Sequence, residues 1–76
     1  MEMDLDLLLP GKSATVVHIG AQKLLKARLR DFGLVPGTMV QCRFRSPDGT
    51  VTALQFRGFL LALRTRDLRS IRVVCQ

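Results

Sequence analysis

The apolar positions of this chain come in short bursts, and their period changes along the sequence. Ser13 to Ile19, rich in Thr and Val, reads as a strand that Gly20 breaks. Then the spacing lengthens. Ala21, Leu25, Leu29 and Phe32 fall at i, i+4, i+8 and i+11, on one side of a 3.6-residue repeat, while Lys23, Lys26 and Arg30 fall on the other. This predicts a helix of about three turns from Ala21 to Phe32. Thr38 to Arg45 alternates strictly, with Val40, Cys42 and Phe44 on one face and Gln41, Arg43 and Arg45 on the other. That is the pattern of a half-buried antiparallel strand. Ser46-Pro47-Asp48-Gly49 is a type I turn signal, and it returns the chain into a strand from Thr50 to Phe56.

Arg57-Gly58 makes a tighter connection into Phe59 to Arg64. Thr65 is placed to cap a single helical turn through Leu68, with Asp67 near its N-terminus. Ile71 to Cys75 is the last strand, and Leu5 to Leu9 is a short apolar lead closed by the Pro10-Gly11 turn. Between helix and second strand, each residue type has a backbone task. Gly33 suits the left-handed position that ends a helix, and Leu34 is placed to fold back onto the last turn. Pro36 drives Val35 into an extended conformation, and Pro36-Gly37 fits the centre of a type II turn. Five short strands, one inserted helix and one helical turn result. So small an open sheet would leave edges exposed, so a barrel is the expected solution.

Composition bounds this picture without changing it. Seventy-six residues make one domain, residues 1–76, that buries about 60–65% of the surface its unfolded chain exposes. With four Phe and neither Tyr nor Trp, the core must be built from Leu, Val, Ile and Phe. The longest apolar run, Phe59 to Leu63, is far shorter than the ~20 residues a membrane span needs. Met1-Glu2-Met3-Asp4 is acidic where a secretory signal is basic, so a cytoplasmic location is expected. Cys42 and Cys75 then read as reduced thiols. The net charge of +6 points to nucleic acid, anionic lipid or an acidic protein surface. The basic residues are spread along the chain, which weakens the nucleic-acid reading.

Three segments carry a family resemblance. They are Gly11-Lys12-Ser13-Ala14-Thr15-Val16; Arg28-Leu29 with Asp31-Phe32-Gly33-Leu34 and Pro36-Gly37; and Phe56, Gly58-Phe59, Leu61-Ala62-Leu63-Arg64, then Ile71 and Val73. In this order the chain resembles the FeoA family, small cytosolic SH3-like barrels of bacterial ferrous iron uptake. Phe32 stands where the family often carries Met or Leu, which keeps an apolar anchor. The resemblance implies a mainly β, five-stranded SH3-like barrel with a helix between strands 1 and 2. It also implies a non-enzymatic accessory to the permease FeoB, whose cytosolic part is a GTP-hydrolysing domain. A related domain ends some metal-dependent repressors, so fold alone leaves the partner open.

Reactive chemistry is largely missing from the sequence. Gly11-Lys12-Ser13 copies the tail of a phosphate-binding loop, but the glycine required five residues earlier falls on Asp6, so no direct nucleotide binding is expected. His18, Cys42 and Cys75 include no closely spaced ligand pair, so neither a metal nor another cofactor is expected. A single His with no orienting acid, and no Ser or Cys in a nucleophile turn, argue against an enzyme.

Binding is the remaining role. Leu34, Val35 and Met39 around the turn, with Phe59 and Leu60 at the start of a strand, exceed what so small a barrel can hide. The competing reading of Leu34 is that it simply closes the helix end. Lys23, Lys26 and Arg30 form a charged stripe, either a solvated face or an acidic-partner docking surface. Arg43, Arg45 and Arg57 are candidates for a second basic patch. Arg28 falls on the apolar side of the helix, where an unpaired buried charge is expensive. Its stem is expected to cover core surface while its head bonds loop carbonyls or an acid such as Asp67; direct partner contact is the alternative. Gly33, Pro36, Gly37 and Gly58 are read as structural. Free strand edges also allow a homo-oligomer. The runner-up reading is a basic barrel that binds nucleic acid, or a detached metal-regulator domain. Against it stand the lack of stacking aromatics beyond Phe and of any helix-turn-helix before the barrel.

Overall fold

Six antiparallel strands, one more than the periodicity predicts, form a single sheet in the computed structural model, which describes residues 1–76. They are β1 (Glu2–Asp4), β2 (Ser13–Ile19), β3 (Met39–Arg45), β4 (Val51–Phe56), β5 (Phe59–Arg64) and β6 (Ile71–Cys75), and the helix α1 spans Lys23–Asp31. The sheet order is β1-β6-β2-β3-β4-β5. It curls like a barrel without closing, so β1 and β5 remain edges. No helix is long and apolar enough to cross a membrane.

The extra strand is held by charge, which hydrophobic spacing does not register. β1 pairs with β6 through Glu2 opposite Val74 and Asp4 opposite Arg72. The Arg72 guanidinium donates to Asp4 at 2.8 Å and to Glu2 at 3.1 Å. Those two carboxylates push the Arg72 pKa up. The apolar lead becomes a 3-10 turn, Leu5–Leu7, that drives Leu5 and then Leu8 into the core. Leu34, Leu54, Leu68, Ile71, Val16, Val40 and Val73 complete that core.

A bulge in β3 overturns half of the predicted alternation. Cys42 lies opposite Leu54, but Phe44 lies opposite Ala53, so one residue is inserted. Beyond the insertion the faces swap. Phe44, expected inside, is 55% exposed. Arg45, expected outside, turns under the sheet, where Nε donates to Thr52 Oγ1 at 3.0 Å and Nη2 to the Leu8 carbonyl at 3.0 Å. Arg45 therefore drops out of the second basic patch. It sits beside Cys42, whose thiol burial pushes up in pKa against the opposing pull of that guanidinium.

Two helix ends also differ from expectation. The second 3-10 turn spans Thr65–Ser70, and the residue before it, Arg64, occupies the cap position with no side-chain cap bond. Thr65 is not the cap; its hydroxyl lies 2.8 Å from that of buried Thr52, which a helix-start rule cannot foresee. Helix α1 is shorter than the predicted Ala21–Phe32 and buries only Leu29, with Phe32 at its C-terminal cap. Its end is a Schellman closure. Leu34 N–H donates to the Leu29 carbonyl and Gly33 N–H to that of Arg30, both at 2.9 Å. Gly33 takes φ +89° to permit this.

Both hairpin turns follow their signals. In the Ser46–Gly49 turn, Gly49 N–H donates to the Ser46 carbonyl at 2.9 Å. Asp48 Oδ1 accepts from Ser46 Oγ, Thr50 N–H and Thr50 Oγ1, which lowers its pKa to about 2. Arg57 and Gly58 take φ +51° and +80°, the two left-handed positions of a tight hairpin.

Gly33→Ala is expected to destabilise the fold by about 1–2 kcal/mol, because a left-handed φ strains any residue with a Cβ. The added Cβ would also fall 2.6 Å from Arg57 Cδ. Urea unfolding of Gly33→Ala and of Gly33→Ala/Arg57→Ala checks this: the second change relieves the clash and leaves the backbone strain. A second test concerns acid. The folded-state pKa of Asp48 lies below its ordinary value of 3.8, so its contribution is complete above that value and is lost as pH falls toward about 2. The stability gap between the native chain and Asp48→Asn, read from urea midpoints, should shrink across that window and stay constant above it.

Candidate functional site

The unpaired edge of β5 faces helix α1 across a groove, and the residues of both walls follow from their periods. On β5, Leu61 and Leu63 point inward opposite Leu54 and Thr52, and both are partly buried. From the helix come Leu25, Leu29 and Phe32, one turn apart. The groove holds about 430 Å³ and is completed by Ala62, Arg28, Arg64 and Asp67. Six of its nine lining residues are apolar, so water gains little by staying there.

The strand wall also offers backbone hydrogen bonds. Phe56 and Phe59 close the two-residue hairpin and exchange ladder bonds, and alternate pairs beyond them do the same. Thr65 N–H, which donates to the Thr50 carbonyl at 2.8 Å, continues the series. Leu60, Ala62 and Arg64 therefore turn their N–H and C=O groups to the free edge. An extended segment laid there could add as a further strand, with apolar side chains entering the groove.

Arg28 stands at the rim, exposed, with no hydrogen bond or ion pair. The expected bonds from its head to loop carbonyls or Asp67 are not made; the side chain lines the groove beside Asp67 without reaching it. The helix starts two residues later than predicted, at Lys23, and Arg28 sits at the solvent edge, where an unpaired guanidinium stays hydrated. Arg64 is likewise exposed and unpaired. The rim is thus basic, with Asp67 as its one acid.

The remaining candidates disperse. Leu34 is fully buried and belongs to the core, where it closes the helix end; it offers no surface to a partner. Val35 is half-buried, and its N–H donates to Thr38 Oγ1 at 3.2 Å. Phe59 is 57% exposed and shares the inward face of β5 with Leu61 and Leu63, so it extends the groove's apolar row. Leu60 and Met39, though exposed, lie on the opposite face of the sheet. Lys23, Lys26 and Arg30 are exposed on the helix, away from the groove lining. Arg43 is held against Gln55 Oε1 at 2.6 Å, and the stem of Arg57 lies against Gly33.

Pro36-Gly37 forms its turn, with Thr38 N–H donating to the Val35 carbonyl at 3.0 Å and Gly37 at φ +95°. Sequence reasoning missed Thr38, whose buried hydroxyl also donates to the Gly33 carbonyl at 2.9 Å and so joins this turn to the helix end. Leu25, Leu61, Leu63 and Arg64 were also missed as site residues. The alternation of Leu61 and Leu63 could have found the strand wall, but which edge stays open is a property of topology. His18, Cys42 and Cys75 do not converge. Cys42 is buried, Cys75 lies 3.0 Å from the Met3 sulfur, and no three His, Cys, Asp or Glu side chains meet at one point.

Comparison with known proteins places the fold. The FeoA domain model matches residues 3–75. The solution structure of the FeoA protein from Chlorobium tepidum superposes with a TM-score of 0.92 at 30% identity, covering 96% of this chain and 70% of that one. The crystal structure of Stenotrophomonas maltophilia FeoA, complexed with zinc and described as a procaryotic SH3 domain protein, gives 0.80 at 27% identity over 97% and 89%. A manganese-dependent transcriptional repressor gives 0.88 at 16% identity, covering 99% of this chain and 42% of the repressor, a likeness of fold alone. No curated protein matches the chain. With the family model running almost end to end and the FeoA structures superposing over nearly the whole chain, the chain belongs to the FeoA family.

Proposed function

We propose that this chain is a non-enzymatic, cytosolic accessory of ferrous iron uptake that docks on the cytosolic part of the permease FeoB and modulates its transport or assembly. The observation that carries this reading is the groove between α1 and β5, apolar at its floor, basic at its rim and bounded by an unpaired strand edge. A site built this way binds an extended segment, through main-chain bonds for affinity and apolar pockets for register. Family membership supplies the transport context, and the Stenotrophomonas maltophilia relative has been put forward as a ferrous iron transport activating factor.

The physical division of labour follows from the groove. Apolar contacts of Leu25, Leu61, Leu63 and Phe59 supply most of the burial. Arg28 and Arg64 select a segment that carries acidic residues near its apolar ones, and they speed encounter more than they strengthen the final complex.

Arg28→Ala tests the assignment without disturbing the fold. Its side chain is exposed and unpaired, so thermal stability should change by no more than about 0.5 kcal/mol. Binding to the purified cytosolic part of FeoB, read by calorimetry, should weaken by roughly 1 kcal/mol, about fivefold, and Phe59→Ser should weaken it further. Affinity should also fall as salt rises, because the rim charges are solvent-screened. A stable Arg28→Ala/Phe59→Ser protein that binds like the native chain would sink the groove as the docking site, and absence of any association would sink the partner.

A further inference from the structure

A second concavity, apart from the groove floor, lies where the Ser46–Gly49 turn meets the second 3-10 turn. It encloses about 540 Å³, and Val51 is its one apolar lining residue. Arg64, Arg66 and Arg69 converge on it, beside Thr50, Thr65 and Asp48. The convergence is imposed by the backbone: a 3-10 turn repeats every three residues, which sets Arg66 and Arg69 on the same side. Arg64, at the end of β5, completes the cluster.

These charges are only partly neutralised. Arg64 and Arg66 have neither a hydrogen bond nor an ion pair. Arg69 reaches an acid only at 3.6 Å, from its Nε to Asp6 Oδ2, and its side chain is 72% exposed. Asp48 is partly engaged, because its Oδ1 accepts three bonds from its own turn. The hydroxyls are occupied as well, Thr65 with Thr52 and Thr50 with Asp48. What stays free is three guanidinium forks, each able to hold two oxygens of one anion, against a single acid in the lining, Asp48, whose Oδ2 makes no hydrogen bond.

We propose that this cleft binds a phosphate-bearing anion of two or more charges through Arg64, Arg66 and Arg69. The phosphate is the recognised group. No aromatic ring lines the cleft to stack a base, and a single Val gives no bed for an acyl chain. The same chemistry is presented by a soluble phosphate ester and by a lipid headgroup. Arg64 also lines the groove, so an anion held here draws one cation away from the groove rim.

Titrating the isotope-labelled full chain with inorganic pyrophosphate at low ionic strength tests the site. Saturable amide shifts are expected at Gly49, Thr50 and Thr65 to Arg69. Arg66→Gln/Arg69→Gln, with both side chains exposed, should fold normally and bind about tenfold or more weakly, since charge-assisted forks carry the contact. Lys12→Gln, which removes an equally exposed cation outside the cleft, should bind as the native chain does. Sedimentation with phosphatidylcholine vesicles carrying phosphatidic acid separates the sources: arginine-dependent sedimentation assigns a lipid headgroup, and pyrophosphate binding without it assigns a soluble ester. Shifts spread equally over Lys23, Lys26 and Arg30, no saturation, or an unaffected double variant would each overturn the site.

Discussion

The closure at the C-terminus of α1 governs the molecule. Leu34 and Gly33 turn their N–H groups back onto Leu29 and Arg30, and both leucines are buried in the core. A helix this short has little stability of its own, so its position depends on that end being locked. Thr38 reinforces it by bonding both sides of the turn, at Gly33 and at Val35. With its end fixed, the helix forms one wall of a groove whose other wall is β5. The groove is thus a by-product of how a helix stops.

Legibility in the sequence followed the kind of force at work. β2, β5 and β6 were readable to the residue, because each is bounded by Gly or a turn and carries β-branched or alternating apolar side chains. The turns at Ser46–Gly49 and Arg57-Gly58 were readable because particular residues tolerate their backbone angles. β1 was not, since Glu2 and Asp4 are held by Arg72 from the far end of the chain. Nor was the bulge at Cys42–Phe44, because an inserted residue leaves the local alternation intact and changes only which partner each residue meets. That one insertion reversed the placement of both Phe44 and Arg45.

The site was half legible for the same reason. An apolar excess was visible, but periodicity could not tell the buried Leu34 from the exposed Phe59, and it placed Met39 and Leu60 with residues they do not face. Deciding that required the sheet order, which leaves β5 unpaired. Charge shows a similar asymmetry. Glu2, Asp4 and Asp6, three of the six acids, all meet Arg72 or Arg69. The cations of the helix and of β5 are left without mates, which gives a small net charge a strong direction.

The β1 clip has a bearing on ionic conditions. Its side chains are largely wetted, and the strand adds little apolar weight beyond Met3. Added electrolyte, which weakens such contacts, would peel this margin before it disturbs the hydrophobic interior. The two opposite borders of the sheet thus differ in kind: one is fastened by ions and the other leaves its backbone groups open beside an apolar groove.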